Sequence, residues 1–186
     1  MRILPWLLAA LVVLAVPAHA ETAAEARQAE LDRLFKALKA APDEITAAAI
    51  EGRIRTLWKQ QATGAVALLM SRGERDLGNR AGTDALADFD AALELQPDLS
   101  EGYNHRAAAR MELGDYAGAV RDIQAALAYD PRNFSALQGL SHIAERQGNW
   151  KGALEAWQHA LDIDPRTPGG IERLEMLQKK VEGEAT

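Results

Sequence analysis

The chain has 186 residues, 48% of them apolar and 26% charged, with a formal charge of −6, the profile of one folded domain of ordinary size. Cysteine is absent, which removes disulfides, thiolate metal sites and cysteine nucleophiles. An acidic chain without a basic stretch lacks the footprint of a nucleic-acid binder, and it has no basic amphipathic helix to lie on a membrane. Ala leads the apolar set and is the best helix former, so composition favours an all-α fold.

In chain order, the first element is a leader. Met1-Arg2 gives a positive start, Ile3 to Val16 is an apolar run interrupted at Pro5, and Ala18 and Ala20 put small residues where signal peptidase reads them. The run is shorter than the about 20 residues that span a bilayer, so residues 1–20 are expected to be a cleaved signal peptide, with the mature chain beginning at Glu21. Its loss removes Arg2 and no acid, moving the charge from −6 to −7. The mature protein is then expected in the periplasm or outside the cell, with no membrane insertion. Next comes a helical hairpin over residues 21–62. Leu31, Leu34, Phe35 and Leu38 make one stripe; Ile50, Ile54, Leu57 and Trp58 make another after the Pro42-Asp43 break.

The middle of the chain repeats. Pro97, Pro131 and Pro165 are 34 residues apart, and each closes a helix it cannot continue. Twelve residues before them stand Ala85, Ala119 and Ala153; eight before stand Phe89, Ile123 and Trp157; five before stand Ala92, Ala126 and Ala160. These offsets place small and bulky residues on one helical stripe, where the small ones admit a neighbour and the bulky one fills the gap beside it. Upstream in each unit lies another helix, with Leu69, Tyr103 and Leu137 in register and Gly73, Ala107 and Ser141 four residues on. Gly114-Asp115-Tyr116 and Gly148-Asn149-Trp150 turn the first helix into the second: glycine ends one, Asp or Asn caps the next. Finally, Ile171, Leu174, Leu177 and Val181 form a stripe on a charged helix ending near Gly183.

From Val66 to Pro165 this pattern resembles the tetratricopeptide-repeat (TPR) family, a 34-residue helix–turn–helix unit. The resemblance implies a right-handed α-solenoid: units at 63–98, 99–132 and 133–166, then a capping helix and tail at 167–186. The spacing of the hairpin at 21–62 echoes the repeat and would make it a degenerate fourth unit. Unit 1 departs from the pattern with Arg72, Asp76 and Arg80, as terminal repeats do. A narrower resemblance, carried by Pro131 to Leu140, Leu57-Trp58 and Val181-Glu182-Gly183, is to small exported TPR proteins of alphaproteobacteria.

The sequence is poor in chemistry. Its four serines lie in no Gly-flanked elbow, and it has neither a phosphate-cradling loop nor a dinucleotide fingerprint. His105, His142 and His159 form no metal-spaced pair on one helix. No catalytic residue, cofactor or metal is therefore expected. The family resemblance implies instead a concave groove lined by the first helix of each unit. Carried over by position, the groove residues are Met70, Glu74 and Leu77; Asn104, His105, Ala108, Met111 and Glu112; and Gln138, His142, Glu145 and Arg146. Some members hold a C-terminal carboxylate in a basic clamp. Met70, Glu74, His105, Ser135 and Gly139 stand at those positions, and only Asn104 is reminiscent of it. The expectation is a protein–protein interaction scaffold that takes a peptide or protein segment with apolar and basic side chains. Alternatives are an envelope enzyme or glycan binder using groove carboxylates and a histidine, and a self-assembling structural solenoid. A plainer reading has the N-terminal helices filling part of the groove, which then binds nothing there.

Overall fold

The computed structural model describes residues 18–184, and among them it contains nine helices and no strand. The hairpin is α1 (Ala18–Lys39) and α2 (Glu44–Lys59). The three units are α3 (Gly64–Gly78) with α4 (Gly82–Leu95), α5 (Ser100–Glu112) with α6 (Tyr116–Tyr129), and α7 (Phe134–Arg146) with α8 (Trp150–Ile163). The last helix is α9 (Gly170–Glu184). Of the expected leader, residues 1–17 lie outside the described residues, and Ala18 to Ala20 begin α1.

Each unit is closed as its turn residues dictate. Gly114 and Gly148 take φ of +80° and +72°, the left-handed conformation in which a helix ends. The side chains of Asp115 and Asn149 then accept from the amides of Gly118 and Gly152 at 2.8 and 2.9 Å, capping α6 and α8. Unit 1 makes the same turn with Arg80 at φ +60°, and the amide of Ala81 bonds back to the carbonyl of Asp76 at 2.8 Å as its counterparts do in units 2 and 3. The second-helix stripes sit where the repeat puts them: Phe89, Ile123 and Trp157 are buried among their flanking alanines.

Neighbouring units stack through one recurring contact. A Cβ at Gly102 would lie 2.8 Å from Leu93, and one at Gly170 would lie 2.9 Å from Leu161, while Leu127 packs into the cluster that holds Ala136. Small residues 34 apart thus admit a leucine from the helix before. Gly170 continues the series, so α9 takes the place of a fourth unit's first helix. It buries Leu177 against Ala144, Ala153 and Trp157, and the Trp157 indole donates to the Gly170 carbonyl at 2.9 Å.

One departure expected of unit 1 is a shared feature. Arg72 pairs with Asp88, and 34 residues on Arg106 pairs with Asp122 at 2.7 Å, the second pair nearly dry. Unit 3 replaces both members, with Leu140 and Ala156. The substitution is coordinated, as it must be, because either charge alone would be left without its partner in a partly buried seam.

The hairpin does not stack as a fourth unit. The stacking position of unit 1 is Leu68, which is 75% exposed, so no helix among the described residues lies over it. Helices α1 and α2 instead run crosswise along the turns that join the units, and they share one core with Phe134 and Ile163. The residue before each repeat proline meets them. Gln96 donates to the Gln61 carbonyl at 3.0 Å, Asp130 accepts from the Trp58 indole at 2.9 Å, and Asp164 meets the carboxyl of Glu51. Arg132 bonds to Asp32 at 2.7 Å and lies over the Phe35 ring, and Arg166 reaches the Ala41 carbonyl at 3.4 Å. The hairpin is a strap across all three repeats. The echo of spacing misled because a helical stripe records that a face is buried and not against what.

Candidate partner-binding groove

The first helices of the units, α3, α5 and α7, lie side by side. Met70 and Glu74 from α3 and Glu101 and His105 from α5 surround a pocket of about 230 Å³, closed on its third side by Trp58, Lys59 and Ala62 of the strap. Its floor is apolar, from Ala67, Met70 and Leu99, and its rim is charged. His105 stacks on Phe89, ring centres 5.6 Å apart, and points Nε2 between Glu74 (3.4 Å) and Glu101 (3.6 Å). Glu74 is also bound by Lys59 at 2.7 Å, and buried Glu101 accepts from the Asn133 amide at 2.8 Å. The helix period brings these groups together: Glu101 and His105 are one turn apart, as are Met70 and Glu74.

The other expected groove residues divide. Met111, His142, Glu145 and Arg146 line a shallower hollow with Arg173 of α9. Arg173 binds Glu145 at 2.7 Å and lies over the Trp157 ring. His142 is held below the ordinary histidine range, first by the desolvation of its packed side and then by the charge of Arg173, so it is neutral at pH 7. Asn104 and Gln138 are half-buried and Ala108 is exposed. Leu77 packs against the core of unit 1 and contributes little to the groove surface. Glu112 leaves the groove altogether. A Cβ at Gly82 would lie 3.3 Å from its carboxyl, which sets the side chain against the first turn of α4. At the last residue of a helix a side chain swings sideways, and an acid there finds the amide end of the adjacent helix favourable.

The sequence reading missed the strap's side of the pocket. It assigned Trp58 to packing within the hairpin and passed over Arg55, Lys59, Ser71 and Glu101. Where the family's clamp would place a base, Ser135 accepts from Arg55 at 2.6 Å and Glu74 is held by Lys59, so the basic groups come from α2 and not from the groove. No group of three His, Asp or Glu side chains fit to hold a metal stands among the described residues, and no helix there is long and apolar enough to cross a membrane.

Stacked helix pairs repeating at a 34-residue period define a protein of the α-solenoid repeat class. The tetratricopeptide-repeat pattern matches residues 110–169. A TPR repeat-containing protein of Rhizobium etli is 32% identical over 156 residues, covering 84% of this chain and 76% of its own. The chain belongs to the tetratricopeptide-repeat family, with that family's right-handed solenoid. Among solved structures, the Sgt2 TPR domain of Aspergillus fumigatus matches with a TM-score of 0.62 at 24% identity, over 67% of this chain and 83% of that one. The first TPR of Spaghetti (RPAP3) bound to an HSP90 peptide matches with a TM-score of 0.60 at 15% identity, over 63% and 94%.

Proposed function

We propose that the protein is a periplasmic interaction scaffold and not an enzyme, and that a segment of a partner protein seats in the pocket between α3, α5 and the end of α2. The observation that carries this is the pocket itself, an apolar floor with the half-buried Glu74 on its rim, where Lys59 of this chain already meets it. Such a site takes an apolar side chain and steers basic flanks towards it. Support for the class comes from the peptide-bound TPR structure, which shares the fold. The export expected from residues 1–20 supports the compartment.

The test places a photo-crosslinking residue at Ser71, which is exposed and lines the pocket, and separately at Gln124, exposed on α6. Crosslinking in intact cells is expected to give partner adducts from position 71 and not from 124. Adducts of equal yield from both positions would sink the groove reading. Intact mass of material from the periplasmic fraction is expected to place the first residue at Glu21.

A further inference from the structure

The C-terminal end of α2 reaches the edge of the concave face from the turns that join the units, as the end of a ligand helix would. Arg55, Trp58 and Lys59 follow the i, i+3, i+4 pattern by which an amphipathic helix lies in a groove, and Ala62 follows in the segment after the helix. The Arg55 guanidinium lies over the Phe134 ring at 4.8 Å and donates to Ser135 Oγ. Trp58 packs on the same ring at 5.3 Å between centres and donates Nε1–H to Asp130. Lys59 ends on Glu74, and Ala62 completes the pocket wall. The receiving surface is an aromatic ring set among acids, complementary to a base–aromatic–base face.

We propose that this face recognises an amphipathic helix with an aromatic anchor, an Arg three residues before it and a Lys one residue after, and that α2 is its resident and displaceable occupant. The proposal rests on the groove reading above and names the chemistry of its partner, which takes over from the end of α2 as the third wall of that pocket. Three observations bear on displacement. The strap joins α3 through only the short segment from Gln60 to Thr63, held to the array by the Gln96 side chain, which donates to the Gln61 carbonyl and accepts from the Thr63 amide. Several of its anchors are exposed ion pairs, Lys59 with Glu74 and Arg132 with Asp32, which exchange readily with a competitor's charges. Its contact at unit 3 sets the Glu51 carboxyl against that of Asp164, an arrangement that disfavours seating when both are ionised. An occupied groove binds an outside helix with an affinity reduced by the fraction of time the occupant is away, so loosening the strap tightens binding.

The probe is a helical Ala/Glu host peptide carrying Arg, Trp and Lys at the spacing of 55, 58 and 59, with a control that has Ala at all three. On the full chain the probe is expected to speed hydrogen exchange in α2 while α5 and α6 stay protected, and the control is expected to do nothing. Trp58→Ala should bind the probe at least tenfold tighter than wild type; Arg55→Ala, which disturbs less of the core, should move the same way. Equal affinity for wild type and both variants, or binding with α2 still protected, would overturn the proposal. A concentration-dependent dimer with α2 protected would also overturn it, by making the hairpin of a second copy the occupant. The groove reading fails separately, through the position-71 adducts.

Discussion

Both flanks of the repeat array are built of amphipathic helices, a hairpin of 22 and 16 residues before it and a single helix of 15 after it, yet they are put to opposite uses. Helix α9 inherits the 34-residue register: Gly170 stands where Gly102 and Ala136 stand, and the helix accepts Leu161 as they accept Leu93 and Leu127. It therefore caps the array end-on and sees only the last unit. The α1–α2 hairpin has no place in that register. It leaves Leu68 open to solvent and lies across the turns of every unit. A solenoid alone has nearest-neighbour energetics, each unit held by the next. The strap adds contacts between segments 72 and 80 residues apart, and so ties units to one another that the stack leaves independent.

The sharpest way to break this comparison is to empty one core position on each flank. Trp58 is 1% exposed and packs between Phe35 and Phe134, so Trp58→Ala is expected to cost about 3–5 kcal/mol. Leu177→Ala is expected to cost about 2–5 kcal/mol. The totals overlap; the distribution is what differs. Native-state hydrogen exchange should show lost protection at the turns of all three units for Trp58→Ala, and in α7 and α8 alone for Leu177→Ala. Identical patterns would mean that the hairpin is an end cap after all.

The repeat array and its α9 cap were legible because their signals are periodic. Ala85, Phe89 and Ala92 recur twice more at a fixed offset, and a stripe that repeats its own neighbours identifies what it packs against. The strap was not legible for the converse reason. Gln96, Asp130 and Asp164 read as ordinary polar residues before a turn proline, and nothing in the sequence joins them to Gln61, Trp58 and Glu51. On α3 and α5 the pocket includes three residues expected from the sequence, Met70, Glu74 and His105, whose family positions carry over residue by residue, and others that were not, Ser71 and Glu101 among them. Its other wall comes from α2, whose partner no spacing reveals. Glu112 was misplaced because helical register fixes an angle about the axis, while a side chain at the helix end is free to turn to a neighbour.

The stacking contact sharpens the comparison within the array. Gly102 and Leu68 occupy the same repeat position, one under Leu93 and the other open. Gly102→Leu should cost about 1–3 kcal/mol by overpacking, because Leu93 already fills the space. Leu68→Ala should change stability by less than about 0.5 kcal/mol. Chemical denaturation of the two variants checks both, and a large loss at Leu68 would reveal a helix stacked over unit 1.

A smaller effect is expected at the turn of unit 1. Arg80 holds a left-handed φ of +60° that Gly114 and Gly148 hold without strain. A residue with a Cβ costs roughly 1–2 kcal/mol there, part of which glycine's greater unfolded-state freedom offsets. Arg80→Gly should therefore raise stability by up to about 1 kcal/mol in thermal or chemical unfolding. A loss would mean that the Arg80 side chain makes a contact worth more than the strain.

The gentlest probe of the strap is pH. Glu51 is held above the ordinary glutamate range, first by burial and next by the hydrogen bond it donates to Asp164 when protonated, with the Arg55 hydrogen bond opposing. Asp164 also accepts from the Thr167 hydroxyl and the Arg166 amide. A carboxyl with a raised folded value holds its proton more tightly in the seated hairpin, so its contribution is complete in acid and is lost as pH rises through that value. Asp32 acts in the other direction. Its hydrogen bond from Arg132 lowers its value, so that contribution is present above the ordinary aspartate range and is lost as pH falls below it. The two limbs leave the strap seated best in mild acid and looser at neutrality. Glu51→Gln removes the upper limb while keeping a donor for Asp164. Hydrogen exchange in α2, followed from mild acid to pH 7, should therefore quicken more in wild type than in Glu51→Gln, beyond the intrinsic change common to both. Parallel profiles would show that Glu51 and Asp164 do not share a proton across the strap, and that its seating rests on its other contacts, Trp58, Arg55 and Arg132 among them.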